Sequence, residues 1–455
     1  MRPTRPFLAL ALLGALAAPP AFAADEALTL AGAMVRAREN AREVVAARAR
    51  QQAAEARASQ ARGFRLPSLN LTALWTRTNN PAEVFALKLN QGTFSFPDFV
   101  QSDPNSPAPI NAGITRAEIA LPIFTGGELS GRIEQATLAS EAAARTADWA
   151  GNGAALSAAE AYVMVAQAEE YAGLLAKARE TVAAHVALAR NYVEQGMLVK
   201  SEFLRAEVEL ARVEDLLEEA RGRVRVANAN LAFRLGAPGG EAWTLAPLAE
   251  PRPVEEPVDA WLATAAERPD LLSARKMLSA GELEEKVRKA PLWPKVAFVA
   301  RGELYGDYPF GSSGTSGSIL AVATWNLFQG GSDKAAALAA REEARAGRED
   351  VARFADGVRL EVRQSYEEAL TARARHATAQ KALEAARESE RIVDERFRSG
   401  VVKMLDLVDA TTSRREAETR ELVARAEAHA AVLRLAGRAG RRPESVLPCR
   451  PWRNG

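Results

Sequence analysis

The chain has 455 residues, and its 59 Lys and Arg against 58 Asp and Glu give a formal charge of +1, which indicates neither a basic nucleic-acid surface nor an acidic tail. Hydrophobic residues make up 48% and charged residues 26%, which excludes large-scale disorder. A single cysteine, Cys449, and three histidines exclude a disulfide framework and a cysteine-based metal site, so we expect no metal and no cofactor.

The N-terminus has the pattern of a cleavable signal peptide over residues 1–23. Arg2 and Arg5 precede an apolar run that ends at Ala18, and a small-x-small cleavage pattern ends at Ala23. No cysteine follows the cleavage pattern, so we expect an exported protein that is not a lipoprotein. No later segment offers the about 18 to 20 uninterrupted apolar residues of a membrane-spanning helix, which leaves a periplasmic, secreted or outer-membrane barrel protein.

The rest of the sequence repeats itself at a spacing of 204 residues. Pro-Ile-Phe-Thr-Gly-Gly at 122–127 corresponds to Asn-Leu-Phe-Gln-Gly-Gly at 326–331, Gly196 corresponds to Gly400, and a third match ends each repeat. Such ungapped matches indicate an internal duplication. The predicted division is a signal peptide at 1–23, a first repeat at 24–236, a proline-rich linker at 237–256, a second repeat at 257–440 and a C-terminal tail at 441–455.

Each repeat begins with a predicted helical stretch, at 27–62 and at 257–289, and continues with two runs in which apolar and polar residues alternate. This period of two predicts β-hairpins at 66–123 and 294–328. Each run is long enough for a tilted strand to cross a bilayer. In the first run the residues of the apolar face are Leu69, Leu71, Ala73 and Trp75.

The first hairpin contains an insertion, most of which lies between residues 79 and 111. Proline fixes its own φ and lacks a backbone N–H, so a segment rich in proline predicts no regular structure. The prolines of this segment are Pro81, Pro97, Pro104, Pro107 and Pro109.

The four strands allow two interpretations. They fit two hairpins on a soluble core, although aromatic residues near the strand ends, such as Trp75, Tyr305 and Trp325, favour a membrane interface. Four strands cannot close a membrane barrel, for which about eight are the minimum, and an open edge in lipid leaves backbone groups unpaired. A membrane protein with these strands must therefore oligomerise, and two copies would supply eight strands or three copies twelve.

Very long helical hairpins are predicted at 127–236 and 331–440, because the first helical segment of each contains no proline. At the ~1.5 Å rise per residue of an α-helix, each of these segments could reach about 95 to 100 Å. Their abundant alanine favours close packing, as in a coiled coil. Gly196 and Gly400 predict the reversals. The predicted turns from strand to helix contain Pro122, Gly126, Gly127, Gly330 and Gly331.

The sequence resembles the TolC-type outer-membrane efflux proteins over essentially the whole chain that follows the signal peptide. The resemblance rests on Leu66-Pro67 before the first strand, on the two Gly-Gly segments at 122–127 and 326–331, and above all on the segment from Phe397 to Thr412. It implies an α+β membrane protein: a homotrimer whose strands form one 12-stranded β-barrel, continued by a long α-helical coiled-coil barrel.

The resemblance also implies a function and partners. The protein would be the outer-membrane exit duct of a tripartite efflux or type I secretion system in a Gram-negative bacterium, extending into the periplasm. Its partners would be a periplasmic adaptor protein and an inner-membrane pump or ABC exporter, with lipid around the barrel. The alternative is a periplasmic coiled-coil adaptor or scaffold protein without a membrane barrel.

Asp406 and Asp409 are the candidate gate residues. They are three apart on a predicted helix and so lie on one face. By resemblance, they point into the pore at its closed periplasmic end, where three-fold symmetry makes each a ring of carboxylates that attracts cations. The alternative is that they only favour the N-terminus of their helix. The first repeat has Glu202 and Arg205 at the equivalent positions, so only the second tip is expected to form the acidic ring.

The predicted tip departs from the family at one position. The family often has a basic residue two positions after the tip glycine, but here Val402 stands there and Lys403 follows. Lys403 could form a substitute set with Arg205 and Glu202, although we expect solvated charges. The tip residues that either contact the adaptor or only form the helical reversal are Gly196, Leu198, Gly400 and Val401.

No enzyme is predicted. His185, His376 and His429 are far apart in sequence and belong to no His-Glu-x-x-His pattern. The sequence contains no phosphate-binding glycine loop and no Gly-x-Ser-x-Gly motif, and the glycine-rich segment at 311–317 reads as a hairpin loop. We therefore expect a passive conduit, with no nucleic-acid partner and with energy supplied by another protein.

Overall fold

The computed structural model describes residues 27–100, 103–237 and 243–446. The predicted signal peptide at 1–23 and Cys449 lie outside these described residues. The elements of the first repeat are α1 (Leu30–Asn40), α2 (Arg42–Gly63), β1 (Ser68–Thr78), α3 (Pro81–Asn90), α4 (Pro97–Val100), β2 (Ile110–Phe124), α5 (Glu128–Glu194) and α6 (Lys200–Arg234). Those of the second are α7 (Val258–Ala265), α8 (Pro269–Lys289), β3 (Lys295–Gly306), β4 (Gly314–Thr324), α9 (Ser332–Arg398) and α10 (Met404–Arg438).

The four strands form one antiparallel sheet in the order β1-β2-β3-β4, so the two repeats meet where β2 pairs with β3. The register confirms the predicted alternation and gives the sheet two unlike faces. The apolar face is formed by residues that include Leu69, Leu71, Trp75, Ile119, Leu121, Phe298, Ala300 and Ile319. The polar face contains two ion pairs between residues directly opposite each other, Arg116 with Glu303 and Arg301 with Glu118.

The last strand is shorter than its sequence pattern suggests. The alternation continues to Leu327, but β4 ends at Thr324, which pairs with Lys295 at the start of β3. Pro294 comes before Lys295 and lacks the backbone N–H that a longer β3–β4 ladder would need. The ladder therefore ends at the pair of Lys295 and Thr324. The following Trp325 instead donates its indole N–H to the carbonyl oxygen of Leu292, at 3.2 Å.

The expectation of no regular structure across 79–111 is wrong, because α3 and the short α4 both lie in this insertion. Pro81 occupies the first turn of α3, where the missing N–H has no helical partner in any case. The Asn80 side chain accepts from the backbone N–H groups of Ala82 and Glu83, at 3.1 and 3.3 Å, and so caps the helix. A proline at this position therefore starts a helix and does not prevent one.

The long helices of the two repeats have equal lengths. Both α5 and α9 contain 67 residues, and both α6 and α10 contain 35. Each long helix of the second repeat begins 204 positions after its counterpart in the first repeat, as the duplication requires. The central parts of these helices pack through alanine, since the buried clusters include Ala154, Ala158 and Ala161 in the first repeat and Ala369 and Ala372 in the second.

The predicted helical stretches at 27–62 and 257–289 are each broken once. The backbone turns extended at Ala41, with ψ 132°, and at Arg268, with ψ 134°. Pro269 disfavours helical geometry at Arg268, which accounts for the second break, and no proline follows Ala41. Arg268 is buried and bonds the carboxylates of Asp270 and Glu361 and the last-turn carbonyl of Arg438.

Among the helices that the structure describes, none is both long and apolar enough to cross a membrane.

Candidate functional site

The reversal between α9 and α10 has the same backbone as the reversal between α5 and α6. Gly400 and Gly196 adopt left-handed φ values of 74° and 73°. The N–H of Val401 bonds the carbonyl of Arg396 at 3.0 Å, and that of Met197 bonds Tyr192 at 2.8 Å. Each of these hydrogen bonds joins residues five positions apart, as in the Schellman motif that ends a helix at a glycine. The motif reverses the chain within a few residues. The structure thus places the predicted tip glycines at the ends of the longest helices.

The two tips pack against each other through a buried apolar cluster, which we call the tip cluster. Its buried members are Val186, Ala189, Ala206, Phe397, Met404 and Leu407. The rings of Tyr192 and Phe397 lie 6.1 Å apart and bridge the two hairpins. Leu198 and Val402 are partly buried against this cluster, whereas Val401 is 71% exposed. Because the buried residues of both hairpins share this cluster, a movement of the second tip relative to the first would break its apolar contacts.

Asp406 and Asp409 are both exposed in the single chain, on α10 near the tip. Asp406 also accepts a hydrogen bond from the backbone N–H of Lys403, at 3.0 Å, and so stabilises the N-terminus of α10. Asp409 has no hydrogen bond or ion pair within the described chain. Asp406 therefore stabilises the N-terminus of its helix, as the alternative interpretation expects. Asp409 makes no such contact.

The equivalent positions of the first repeat differ in their surroundings. Glu202 is half-buried, and its Oε2 has no hydrogen-bond partner within the described residues, whereas Arg205 is exposed. No ion pair joins Glu202, Arg205 and Lys403 to one another anywhere in the described chain. These three residues therefore do not form the substitute charged set within the described chain.

A buried ion pair that the sequence analysis missed joins the two hairpins above the tip. Arg415 of α10 donates to Glu209 of α6 at 2.8 Å, and the two residues are 6% and 9% exposed. The repeat does not predict it, because the equivalent residues are Ala211 and Ser413. Burial of a charge is costly without such a partner, so this pair fixes the position of one hairpin against the other.

A signal for this pair was nevertheless present in the sequence. Glu209 falls in the buried stripe of α6 between Ala206 and Val213, at helical spacing. Arg415 falls in the buried stripe of α10, four positions after Thr411. A charged residue on an otherwise apolar stripe predicts a buried partner, although it does not say which one.

Two further titratable groups lie between the hairpins near the tip. Burial lowers the pKa of the His185 imidazole on α5, although the nearby Asp394 carboxylate opposes this effect. Burial raises the pKa of the Glu390 carboxyl on α9, and the positive charge of Arg414 partly offsets it. Arg414 pairs with both Glu390 and Glu418 and so ties α10 to α9.

The turns from strand to helix are also placed by the structure. Gly126, Gly127, Gly330 and Gly331 all have positive φ, and Gly127 and Gly331 immediately precede the first residues of α5 and α9. Pro122 lies before the turn, within β2, where it pairs with Ala297 next to a bulge. A bulge tolerates the missing N–H of proline.

The described residues contain no cluster of three or more His, Cys, Asp and Glu side chains that could hold a metal ion.

The sequence profile of the outer membrane efflux protein family matches the chain twice, over residues 33–237 and 263–441. The chain therefore belongs to this family of channel proteins. No curated protein sequence matches the chain.

Solved structures of membrane proteins share its fold. A membrane protein from Pseudomonas aeruginosa has a TM-score of 0.78 at 18% identity, with 90% of this chain and 92% of that one covered. VceC of Vibrio cholerae has a TM-score of 0.75 at 18% identity, with 90% and 96% covered. The outer membrane channel CmeC of Campylobacter jejuni has a TM-score of 0.76 at 14% identity, with 90% and 85% covered. The predicted family and fold class are thus confirmed.

Proposed function

We propose that three copies of this chain form one exit duct, with a 12-stranded β-barrel in the outer membrane and an α-helical barrel in the periplasm. The observation that carries the proposal is the four-stranded sheet, which has one apolar face and whose end strands, β1 and β4, have no neighbouring strand among the residues that the structure describes. Such edges cannot face lipid unpaired, so β4 of one copy pairs with β1 of the next.

The helices continue the duct. At the ~1.5 Å rise per residue of an α-helix, the 67 residues of α5 and of α9 give lengths of about 100 Å. The 21-residue helix α8 contacts both α5 and α9 and so joins the hairpins of the two repeats over part of this length. In this proposal the chain divides as the repeat predicts, into a signal peptide at 1–23, repeats at 24–236 and 257–440, a linker at 237–256 and a tail at 441–455.

Asp406 and Asp409 form the periplasmic gate in this proposal. Their exposure in the single chain and their place on one face of α10 support two rings of carboxylates around the three-fold axis. Such rings attract cations and restrict anions. Charge is therefore the means by which the closed end selects what enters.

The tip is also the proposed contact with a periplasmic adaptor, which couples the duct to an inner-membrane pump or ABC exporter. Apolar side chains exposed at the two reversals support a protein partner there, since Met197, Val199 and Val401 are 63%, 65% and 71% exposed. The other residues of this proposed surface are Gly196, Leu198, Glu202, Arg205, Gly400, Val402 and Lys403. The protein acts as a passive conduit without catalysis, exported by its signal peptide and not anchored by a lipid.

The test is single-channel conductance of the detergent-purified trimer in planar lipid bilayers. Small cation-selective openings are expected for the wild type, and Asp406→Ala/Asp409→Ala should enlarge them several-fold and weaken the selectivity. Asp350→Ala/Asp356→Ala is the matched control, because it removes two exposed carboxylates of α9 that lie far from the tip. A wild type that purifies without detergent as a monomer would overturn the duct in favour of a periplasmic scaffold. A conducting wild type whose gate variant is unchanged would overturn only the gate.

A further inference from the structure

The loop between β3 and β4, residues 307–313, folds back over the sheet. It crosses β2 at Gly113, because a side chain on this glycine would collide with the backbone of Tyr308. Farther along β2, Thr115 is 5% exposed, and its hydroxyl accepts a hydrogen bond from the backbone N–H of Phe310, at 2.8 Å. The loop is therefore packed on this strand and does not simply extend beyond the sheet.

The loop covers part of the apolar face of the sheet. Gly113 and Thr115 lie on this face, because side chains alternate along a strand and the ion-paired Arg116 lies on the polar face. The helix α3 packs on the polar face, where Leu87 contacts Ala112. In the proposed barrel the apolar face is turned to lipid and the polar face lines the lumen. The loop therefore lies on the outside of the barrel, and α3 lies inside it.

The loop has a backbone conformation that its residues do not favour by themselves. Among the residues that the structure describes, Phe310 is the only non-glycine with a positive φ, at 64°. Bulky L-residues rarely adopt this left-handed conformation, so the hydrogen bond to Thr115 and the packing on β2 have to offset its cost. The loop also closes tightly, since a side chain on Gly306 would come within 2.8 Å of the Cα atom of Gly311. Contacts with the sheet thus maintain the loop in this conformation.

This position of the loop leaves two aromatic rings exposed on the outer surface. Tyr308 and Phe310 are each 66% exposed, and Trp75, which pairs with Gly113 on the same face, is 50% exposed. The loop reaches from β3 to β2, the two inner strands of the sheet, whereas copies of the chain would meet at β1 and β4. Lipid is therefore the group that meets these rings in the proposed barrel.

The loop lies where the apolar face of the sheet ends. Leu304 is directly opposite Thr115 on one side and Thr315 on the other, so hydroxyl groups appear in this row. At the ~3.3 Å rise per residue of a strand and a tilt of about 40°, the stretch from Val296 to Leu304 rises about 20 Å along the membrane normal. The apolar band of such barrels is about 25 Å tall. The loop is therefore placed near the boundary between hydrocarbon and lipid headgroups.

We propose that the β3–β4 loop anchors the barrel in the outer leaflet of the membrane, with the rings of Tyr308 and Phe310 inserted at the boundary between headgroups and acyl chains. The inference rests on the proposed trimeric duct. The long helices continue from the other ends of β2 and β4, so this end of the sheet meets the outer leaflet. Aromatic side chains are favoured at this depth of a bilayer.

The two rings fix the height of the barrel in the membrane. If the barrel moved outward, the ring of Phe310 would be exposed to water. If it moved inward, the hydroxyl of Tyr308 would enter hydrocarbon without a hydrogen-bond partner. Rings on a mobile loop would follow either movement, but the contacts with Gly113 and Thr115 hold this loop on the sheet.

The membrane depth of single labelled positions tests the anchor. The chain carries Cys449→Ser and one of Tyr308→Cys, Phe310→Cys or Ile319→Cys, and the cysteine is labelled with the fluorophore NBD. The labelled trimer is reconstituted in phosphatidylcholine vesicles with a nitroxide quencher either on the headgroup or in the middle of the acyl chain. Labels at 308 and 310 should be quenched at least two-fold more by the headgroup nitroxide. The label at 319, on the lipid face of β4, should show the opposite order.

Ser316→Cys is the control for the lumen, because the Ser316 hydroxyl bonds Glu303 on the polar face, at 3.2 Å. Its label should be quenched by neither nitroxide lipid. Labels at 308 and 310 that behave as the label at 316 does, while lipid quenches the label at 319, would overturn the anchor and leave the duct intact. A label at 319 that neither lipid quenches would overturn the duct itself.

A pair of glycine variants tests what holds the loop. In the chain labelled at 308, Gly113→Ala adds a methyl group where the backbone of Tyr308 lies, so the loop has to leave the sheet and its headgroup quenching should fall at least two-fold. Gly302→Ala is the matched control, since Gly302 lies on the same face with no atom within 4 Å of an added Cβ. The label at 319 should keep its quenching in both variants. Unchanged quenching at 308 in Gly113→Ala would contradict the anchor.

Discussion

The two helical hairpins of this chain share one backbone conformation but differ in the side chains through which they contact each other. Their helices have equal lengths, and their reversals have φ values of 73° and 74° at Gly196 and Gly400. Their side chains differ where the hairpins meet, since Glu209 is matched by Ser413 and Arg415 by Ala211. Duplication thus preserved the conformation of the chain, whereas the contacts between the copies diverged. Four experiments test which properties the two hairpins share and which they do not.

Loss of the buried ion pair is expected to have the largest effect. Glu209→Ala leaves the Arg415 guanidinium buried without a partner, which should destabilise the protein by about 3 to 5 kcal/mol. Thermal unfolding of the trimer in detergent, followed by circular dichroism, measures it. Glu214→Ala is the control, because Glu214 lies on the same helix, α6, but forms an exposed pair with Arg179 of α5, and its loss should cost at most about 1 kcal/mol. Equal effects of the two variants would mean that burial of the pair does not matter.

The shared backbone predicts equal effects at the two reversals. Gly196→Ala and Gly400→Ala each force an L-residue into a left-handed conformation, at a cost of about 1 to 2 kcal/mol. Nothing lies within 4 Å of an added Cβ at either position, so strain alone sets the cost. The same unfolding experiment measures both.

A matched pair of controls exists in Gly153 and Gly357, which occupy equivalent helical positions of α5 and α9 with open space around them. Alanine there should stabilise by about 0.5 to 1 kcal/mol, because it lowers the entropy of the unfolded chain. Unequal costs at Gly196 and Gly400 would show that the reversals are not equivalent in energy.

Two variants of Asp406 should separate the effect of its charge from the effect of its hydrogen bond. Asp406→Asn keeps an oxygen that can accept from the backbone N–H of Lys403, whereas Asp406→Ala loses it and should cost about 1 kcal/mol of stability. Both variants should enlarge the conductance, as should Asp409→Asn, which affects no cap. Single-channel recording and thermal unfolding of the same preparations measure the two effects. If Asp406→Asn conducts as the wild type does, Asp406 stabilises the helix and does not gate.

Acidification should give the smallest effect, and we expect it in the segment of α5 that contains His185. Burial lowers the pKa of His185 below its ordinary 6.5, so the unfolded segment binds this proton more readily than the folded one. The stability of the α5 tip should therefore fall as the pH drops through about 6.5. Hydrogen exchange at 180–190 should accelerate between pH 7.5 and 5.5, after correction for the intrinsic rate.

The variant His185→Gln provides the control, because the equivalent segment of the second repeat has Ser389 in place of the histidine but also contains Glu390, whose pKa is raised by burial. In His185→Gln the acceleration at 180–190 should disappear. Persistence of the acceleration in this variant would assign it to another group.

Much of the fold could be predicted from short-range patterns. Alternation with a period of two identified both faces of all four strands, and Gly196 and Gly400 marked the reversals. The error at α3 is also local, since the cap formed by Asn80 makes Pro81 the start of a helix and not a break in one. The candidate site was less accessible to sequence reasoning. The assignment of Asp406 and Asp409 to a gate comes from the resemblance and stays a prediction, and the pairing of Glu209 with Arg415 was not predicted.

The sequence by itself determined the duplication, the periods of strand and helix, and the positions of the turns, because each depends on the backbone preferences and spacing of neighbouring residues. Only the tertiary structure decided that β2 pairs with β3 across the repeats, that Arg415 meets Glu209, and that α3 lies on the polar face of the sheet. These contacts join residues far apart in the chain. Their partners are chosen by burial and charge in three dimensions, which no local period records.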